Sequence, residues 1–203
     1  MSTHEPLDVS RRRHVTLTSA RRLRALTTVL VVAAIVQLAT APRAAAASAA
    51  ELRRDSSQAL KDLYRSNSTA KMLGQKATAV LVFPSIVKAG FLIAGQLGEG
   101  VLWKNGKAAG YYNSIAGSYG FQAGAQVFGY ALFFMNAEAL AYLNKSDGWE
   151  IGSGPSIVIL DKGKAKSITS TTLSHDVYAF IFNQKGLMGG IGLQGSKITK
   201  IDK

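Results

Sequence analysis

Cysteine is absent from this chain. That removes disulfide bridges, thiolate metal sites and a cysteine nucleophile together, and it leaves no thiol to carry a covalent lipid. Acidic residues are few, 12 against 24 lysines and arginines. Histidine is scarcer still: of the three, only His175 lies beyond residue 47. A catalytic or metal-ligating site needs several such groups to converge, and here there are few to do so. Glycine is missing from the early chain, since all 20 glycines fall between Gly74 and Gly195. Hydrophobic residues make up 47% and charged residues 18%, which is enough apolar material for a sizeable core and too much for a disordered chain. The length suits one domain.

The net charge of +12 divides unevenly. Before Ser48 there are seven arginines and two acids, net +5, which leaves 17 basic and 10 acidic residues beyond it, net +7. Arg21, Arg22 and Arg24 precede an apolar run from Ala25 to Ala39, and an alanine-rich stretch follows. A basic start, an apolar middle of this length and small residues at a cut site predict a secretory signal over 1–47. The run is shorter than the ~20 residues that comfortably span a bilayer. The expectation is therefore export, to a periplasm or the extracellular space. The basic remainder favours anionic partners such as lipid headgroups or nucleic acid.

From 48 to 76 the pattern is helical. Ala49, Leu52, Ser56, Ala59, Leu60 and Leu63 recur at steps of three and four, on one face of a helix. A second helix is expected over Ser68–Lys76, with Ser68 as its N-cap. From 77 to 203 the period becomes that of strands. AVLVFP (79–84) reads as a buried strand ended by Pro84, and Phe91–Ala94 and Gly100–Trp103 as two more. Asn105-Gly106 is a hairpin turn, because both residues tolerate positive φ. Gly110–Met135 is one long β segment, bent at Gly117, Gly120, Gly124 and Gly129. Its odd positions are apolar, whereas its even positions (Ser118, Gln122, Gln126) are polar before becoming apolar. That side is expected to be wet early and covered late. Asn136 caps a short helix over Ala137–Leu143. Trp149–Ile151, Ser156–Leu160, Val177–Asn183 and Gly190–Lys200 are strands, with Asp161–Lys164 a turn. The fold class is α+β: a bent antiparallel sheet or barrel-like body, with the N-terminal amphipathic helix and short helices packed on it.

Several strings are recognisable as they stand: VLVFPSIVKAGFLIAGQLGEGVLW (80–103), GYYNSIAGSYGFQAGAQVFGYALFFM (110–135), GWEIG (148–152) and VYAFIFNQKGLMGGIGLQGSKITKI (177–201). Over Leu52–Ile201 the chain resembles the lipid-binding SYLF domain family, also known as the yeast-type actin-binding domain, and its bacterial exported single-domain members in particular. The resemblance implies binding to phosphoinositides and other anionic lipids, with no known catalysis. Its fungal members bind actin, which is not carried over to this chain.

The residues offer little for an enzyme. His175 adjoins Asp176, but neighbours on a strand point to opposite faces, and no serine sits in a G-x-S-x-G elbow. No metal site and no cofactor is expected. Gly190-Ile-Gly192-Leu-Gln-Gly195 matches G-x-G-x-x-G, a motif that must open a helix to hold a pyrophosphate; Ser196–Ile201 alternates as a strand instead. Headgroup binding is expected from lysines at loop tips: Lys88, Lys104, Lys107, Lys162, Lys164, Lys166 and Lys185. Lys197 and Lys200 lie near the end of the chain. Tyr111, Tyr112, Tyr119, Phe128, Phe133 and Phe134 are candidates for an apolar pocket lining. Nucleic acid is disfavoured, because the aromatics sit within apolar runs and do not interleave with basic residues. An envelope structural or protein-interaction module is the alternative function.

Overall fold

The computed structural model describes residues 47–145, 147–160, 173–186, 193 and 195–203, with the backbone alone at 119–123. The leader, except for Ala47, lies outside them, as do the 161–164 turn and Lys162, Lys164 and Lys166. The described residues form one compact unit, Ala47–Lys203.

Helix α1 spans Ala49–Ser66 and α2 spans Ser68–Lys76. Ser48 and Glu51 start α1 with a reciprocal capping box, which satisfies two of the four free N–H groups at a helix start. Leu52, Ser56, Ala59 and Leu63 are its buried face, as the spacing predicts. Ser56 belongs there because its hydroxyl accepts from the Trp103 indole N–H at 2.8 Å. The cap of α2 is Asn67 rather than Ser68: the Asn67 side chain accepts from the Ala70 N–H at 3.0 Å.

Two long strands dominate: β1, Ala79–Lys104, and β2, Lys107–Phe134. They pair antiparallel along their whole length through the Asn105-Gly106 turn, where φ is 50° and 72°. The three strands expected within β1 are therefore one. Pro84 does not end it, because an extra residue bulges between Phe83 and Ile86. A bulge already interrupts the ladder, so the N–H that proline lacks has no partner to lose.

After β2 come α3 (Ala137–Ala141), capped by Asn136 as predicted, and a 3₁₀ turn, Tyr142–Asn144. Strands β3 (Trp149–Glu150), β4 (Ile157–Leu160), β5 (Val177–Gly186) and β6 (Lys197–Ile201) complete the sheet. The order is β3-β6-β2-β5-β4, with β1 on the other edge of β2. The sheet is mixed rather than wholly antiparallel, because β4 and β5 run parallel. The chain between Leu160 and Val177 is long enough for the crossover such a pair needs. One core lies on the concave side and holds Phe83, Tyr130, Leu132, Phe134, Trp149, Val177 and Ile198. The other lies between sheet and helices, where Leu63, Ala70 and Leu73 meet Val82, Phe133 and Phe180. Bent sheet plus packed helices is the α+β body that the sequence predicts.

Candidate functional site

The two long strands do more than pair. A Cβ placed on Gly98 would lie 2.6 Å from the Ser85 carbonyl oxygen, and one on Gly100 would lie 2.8 Å from that of Val82. One on Gly90 would strike Ile93 and Ala94. Strand β1 therefore folds back on itself, 82–86 against 98–100, with its apex at Phe91–Ile93. The hairpin becomes a wedge of two legs, closed by glycines where the backbones approach. The apex is irregular: Leu92 has φ 61°, and the register with β2 shifts between Phe91 and Ile93. A bulky residue at positive φ costs on the order of 1–3 kcal/mol. Here it breaks strand alternation, so that Phe91, Leu92 and Ile93 all face outward. Phe91 is 73% and Ile93 75% exposed.

The flanks continue this apolar surface. On one leg Val87 pairs with Val127, and on the other Leu97 pairs with Ile115; all four are exposed. The inward positions are polar: Lys88 (8% exposed), Gln96, Ser114 and Gln126 (7%) are buried. Lys88 stands opposite Gln126 in the register, and Gln96 donates to the Ser196 hydroxyl at 3.4 Å. On the side of β2 expected to be wet, Gln126 is buried and Ser118 half-buried, whereas Ala125 and Val127 on the apolar side are exposed. The physical reason is the fold-back, which presses the polar rows of the two legs together. Below them, burial pushes the Tyr130 hydroxyl up in pKa; the neighbouring Ser114 hydroxyl partly offsets this, without reaching hydrogen-bond geometry.

Two exposed lysines complete the wedge. Lys185 on β5 stands opposite Val127, and Lys197 on β6 opposite Ile115. Cross-strand partners project from the same face. Each apolar row therefore leads to an ammonium: Val87–Val127–Lys185 on one flank, and Leu97–Ile115–Lys197 on the other, where the exposed Glu150 of β3 stands opposite Lys197. Of the expected lysines among the described residues (Lys88, Lys104, Lys107 and Lys185), only Lys185 lies on this surface. Lys104 and Lys107 are exposed but close the hairpin turn at the far end of the second leg, and Lys88 is interior rather than at a loop tip. Lys197 takes its place opposite Ile115 from strand pairing, which composition cannot reveal. Of the aromatics suggested for a pocket, Tyr112, Phe128, Phe133 and Phe134 are ordinary core. Tyr111 is half-buried and accepts from Arg53 at 2.7 Å.

His175 is exposed, with its ring set edge-on to Tyr178 at 6.0 Å. Its neighbour Asp176 is a structural tie. The carboxylate accepts from the Ser156 hydroxyl (2.8 Å) and amide N–H (2.9 Å) and from the Asn136 amide (2.8 Å). The Ser156 hydroxyl first, then Asn136, hold its pKa below the ordinary 3.8. Among the described residues no three His, Asp or Glu side chains gather as metal ligands. Strand β6, not a helix, follows Gly195, so the glycine pattern there does not open a phosphate-binding helix. No described helix is long and apolar enough to cross a membrane, which says nothing of crossing by strands.

No curated protein matches the chain. A family model described as Ysc84, Las17-binding protein actin regulator, matches residues 115–203. The match begins inside β2, at the Ile115 row of the wedge, and runs to the end of the described sheet. Residues 115–203 are thus a segment of the Ysc84 family, the SYLF domain family that the sequence resembles.

Proposed function

We propose that this chain is an exported, non-enzymatic protein that binds anionic phospholipid at a membrane surface. Family membership supports a lipid- or actin-binding module in general terms. The observation that carries the finer reading is the pairing of an uncovered apolar wedge with Lys185 and Lys197 on its flanks. Contiguous exposed apolar surface rimmed by charge marks an interaction site. Each lysine near an anionic membrane contributes about 1 kcal/mol, an attraction that fades with salt.

The test is co-sedimentation with phosphatidylcholine vesicles, with and without phosphatidylglycerol, at low and physiological salt. Binding is expected to favour the anionic vesicles, most strongly at low salt, and to weaken between low and physiological salt. The double variant K185E/K197E should lose about tenfold or more in affinity, given about 1 kcal/mol per lysine and the added repulsion of the reversed charges. K104E/K107E, at the distant turn, should bind like the parent chain. Absence of binding to anionic vesicles even at low salt would discard this function. The protein-interaction alternative would then stand.

A further inference from the structure

Resting on that lipid reading, we infer that the apex Phe91-Leu92-Ile93 enters the hydrocarbon of one leaflet and stops where Lys185 and Lys197 meet the phosphates. The partner is acyl chain, not headgroup alone and not another protein, for three reasons that are independent of one another.

The first is polarity. The wedge is apolar outside and polar inside: Val87, Phe91, Ile93, Leu97, Ile115 and Val127 face out, while Lys88, Gln96, Ser114 and Gln126 are buried. Water-facing sheets alternate the other way, and this inverted dyad pattern is that of β structure in contact with lipid. The second is the chemistry of the exposed set. The exposed set on the apex and its two legs, Val87, Phe91, Leu92, Ile93, Leu97, Ile115 and Val127, is aliphatic or phenyl. Protein interfaces are enriched in tyrosine, tryptophan and arginine, which bond as well as bury; acyl chains ask for neither donor nor acceptor. The third is the setback of the lysines. Val87 and Leu97 each stand four positions from the nearer apex residue, Phe91 or Ile93. Four residues of strand span about 13 Å. The lysine of each row is therefore set back equally on both flanks, where its long stem can lie along apolar surface and its ammonium reach phosphate.

The same geometry limits the depth. The lysine rows stand about 13 Å behind the apex, less than half of the ~30 Å hydrocarbon core of a bilayer. The wedge therefore enters one interface and does not cross.

The chain has no cysteine, so a single reporter can be placed. Ile93→Cys in the full chain, labelled with a solvatochromic nitrobenzoxadiazole dye, would be mixed with phosphatidylcholine/phosphatidylglycerol vesicles. The expected result is a blue shift and quenching by lipids brominated on the acyl chain, while the same dye on Lys104→Cys keeps its aqueous emission. The signal is local to residue 93, so attachment by any other segment does not reproduce it. Sedimentation with vesicles without a blue shift at residue 93 would overturn insertion and leave lipid binding intact. Failure to sediment would overturn both. A blue shift that appears without vesicles and grows with protein concentration would make a second copy the occupant. Quenching of residue 93 by a water-soluble quencher sealed inside the vesicles would overturn the one-leaflet limit.

Discussion

At the scale of single residues, the wedge is decided by what Gly98 and Gly100 lack. The atoms facing Gly98 are the Ser85 carbonyl and the Ile86 side chain, and those facing Gly100 are the Val82 carbonyl and the Phe83 ring. A backbone carbonyl cannot swing aside as a side-chain tip can. A methyl group at Gly98 must therefore push the legs apart. Gly98→Ala is expected to destabilise the fold by about 1–3 kcal/mol, the usual cost of overpacking. Gly117 is the control, since a Cβ there would meet nothing within 4 Å. Gly117→Ala should change stability by less than about 1 kcal/mol, in either direction. Urea unfolding of the two variants measures this; equal midpoints would show that the legs do not press together at Gly98. Leu92 makes the complementary point, because its positive φ turns three successive apolar side chains outward where a regular strand would turn two.

At the scale of elements, the sequence was most readable where structure is local. The three- and four-residue steps from Leu52 to Leu63 named the buried face of α1, Asn105-Gly106 named the hairpin, and Asn136 named the cap of α3. Each rests on contacts within about one turn of chain. Reading failed where an element is defined by what lies across from it. Pro84 looked like an end because a proline inside a strand removes a ladder bond, and only the bulge shows that no bond was there to remove. The parallel β4–β5 pair was hidden for the same reason, since direction depends on the route taken between them. Asp176 shows an element junction that can be tested. It joins the cap residue of α3 to the start of β4 and to β5, through Asn136 and Ser156. Its folded pKa lies below the ordinary 3.8. A lowered carboxylate stabilises the fold above its unfolded value and loses that contribution as pH falls from there through the folded value. The parent chain should therefore lose stability below about pH 4, and Asp176→Asn should be less stable at neutral pH with a flatter acid limb. Denaturation midpoints from pH 7 to pH 2 measure both, and parallel curves for the two proteins would remove Asp176 from the acid response.

At the scale of the whole molecule, the informative feature is that two kinds of apolar side chain alternate along β1 and mean different things. Val80 and Val82 face the helices, whereas Val87, Phe91, Ile93 and Leu97 face water. No residue-level signal separates them. Alternation gives a strand two faces without saying which is inside, and the choice is made by a fold-back that brings Gly98 to Ser85. Helices α1 and α2 cover one end of the sheet's outer face and leave the wedge bare. The two classes predict opposite responses to the same chemistry. Removing a large side chain from a core costs about 3–5 kcal/mol for an aromatic. At the apex it removes exposed surface that the fold does not use. Phe91→Ser with Ile93→Ser is therefore expected to leave folding stability within about 0.5 kcal/mol of the parent, as surface changes do. The same double variant should lose the part of vesicle binding that survives physiological salt, because the lysines that remain act only through a screened field. Phe133→Ser, beneath the helices, should unfold the protein instead. Thermal melts beside vesicle sedimentation at two salt concentrations decide the matter. A large stability loss in the apex variant would mean that Phe91 and Ile93 are packed in the folded protein and not offered to a membrane.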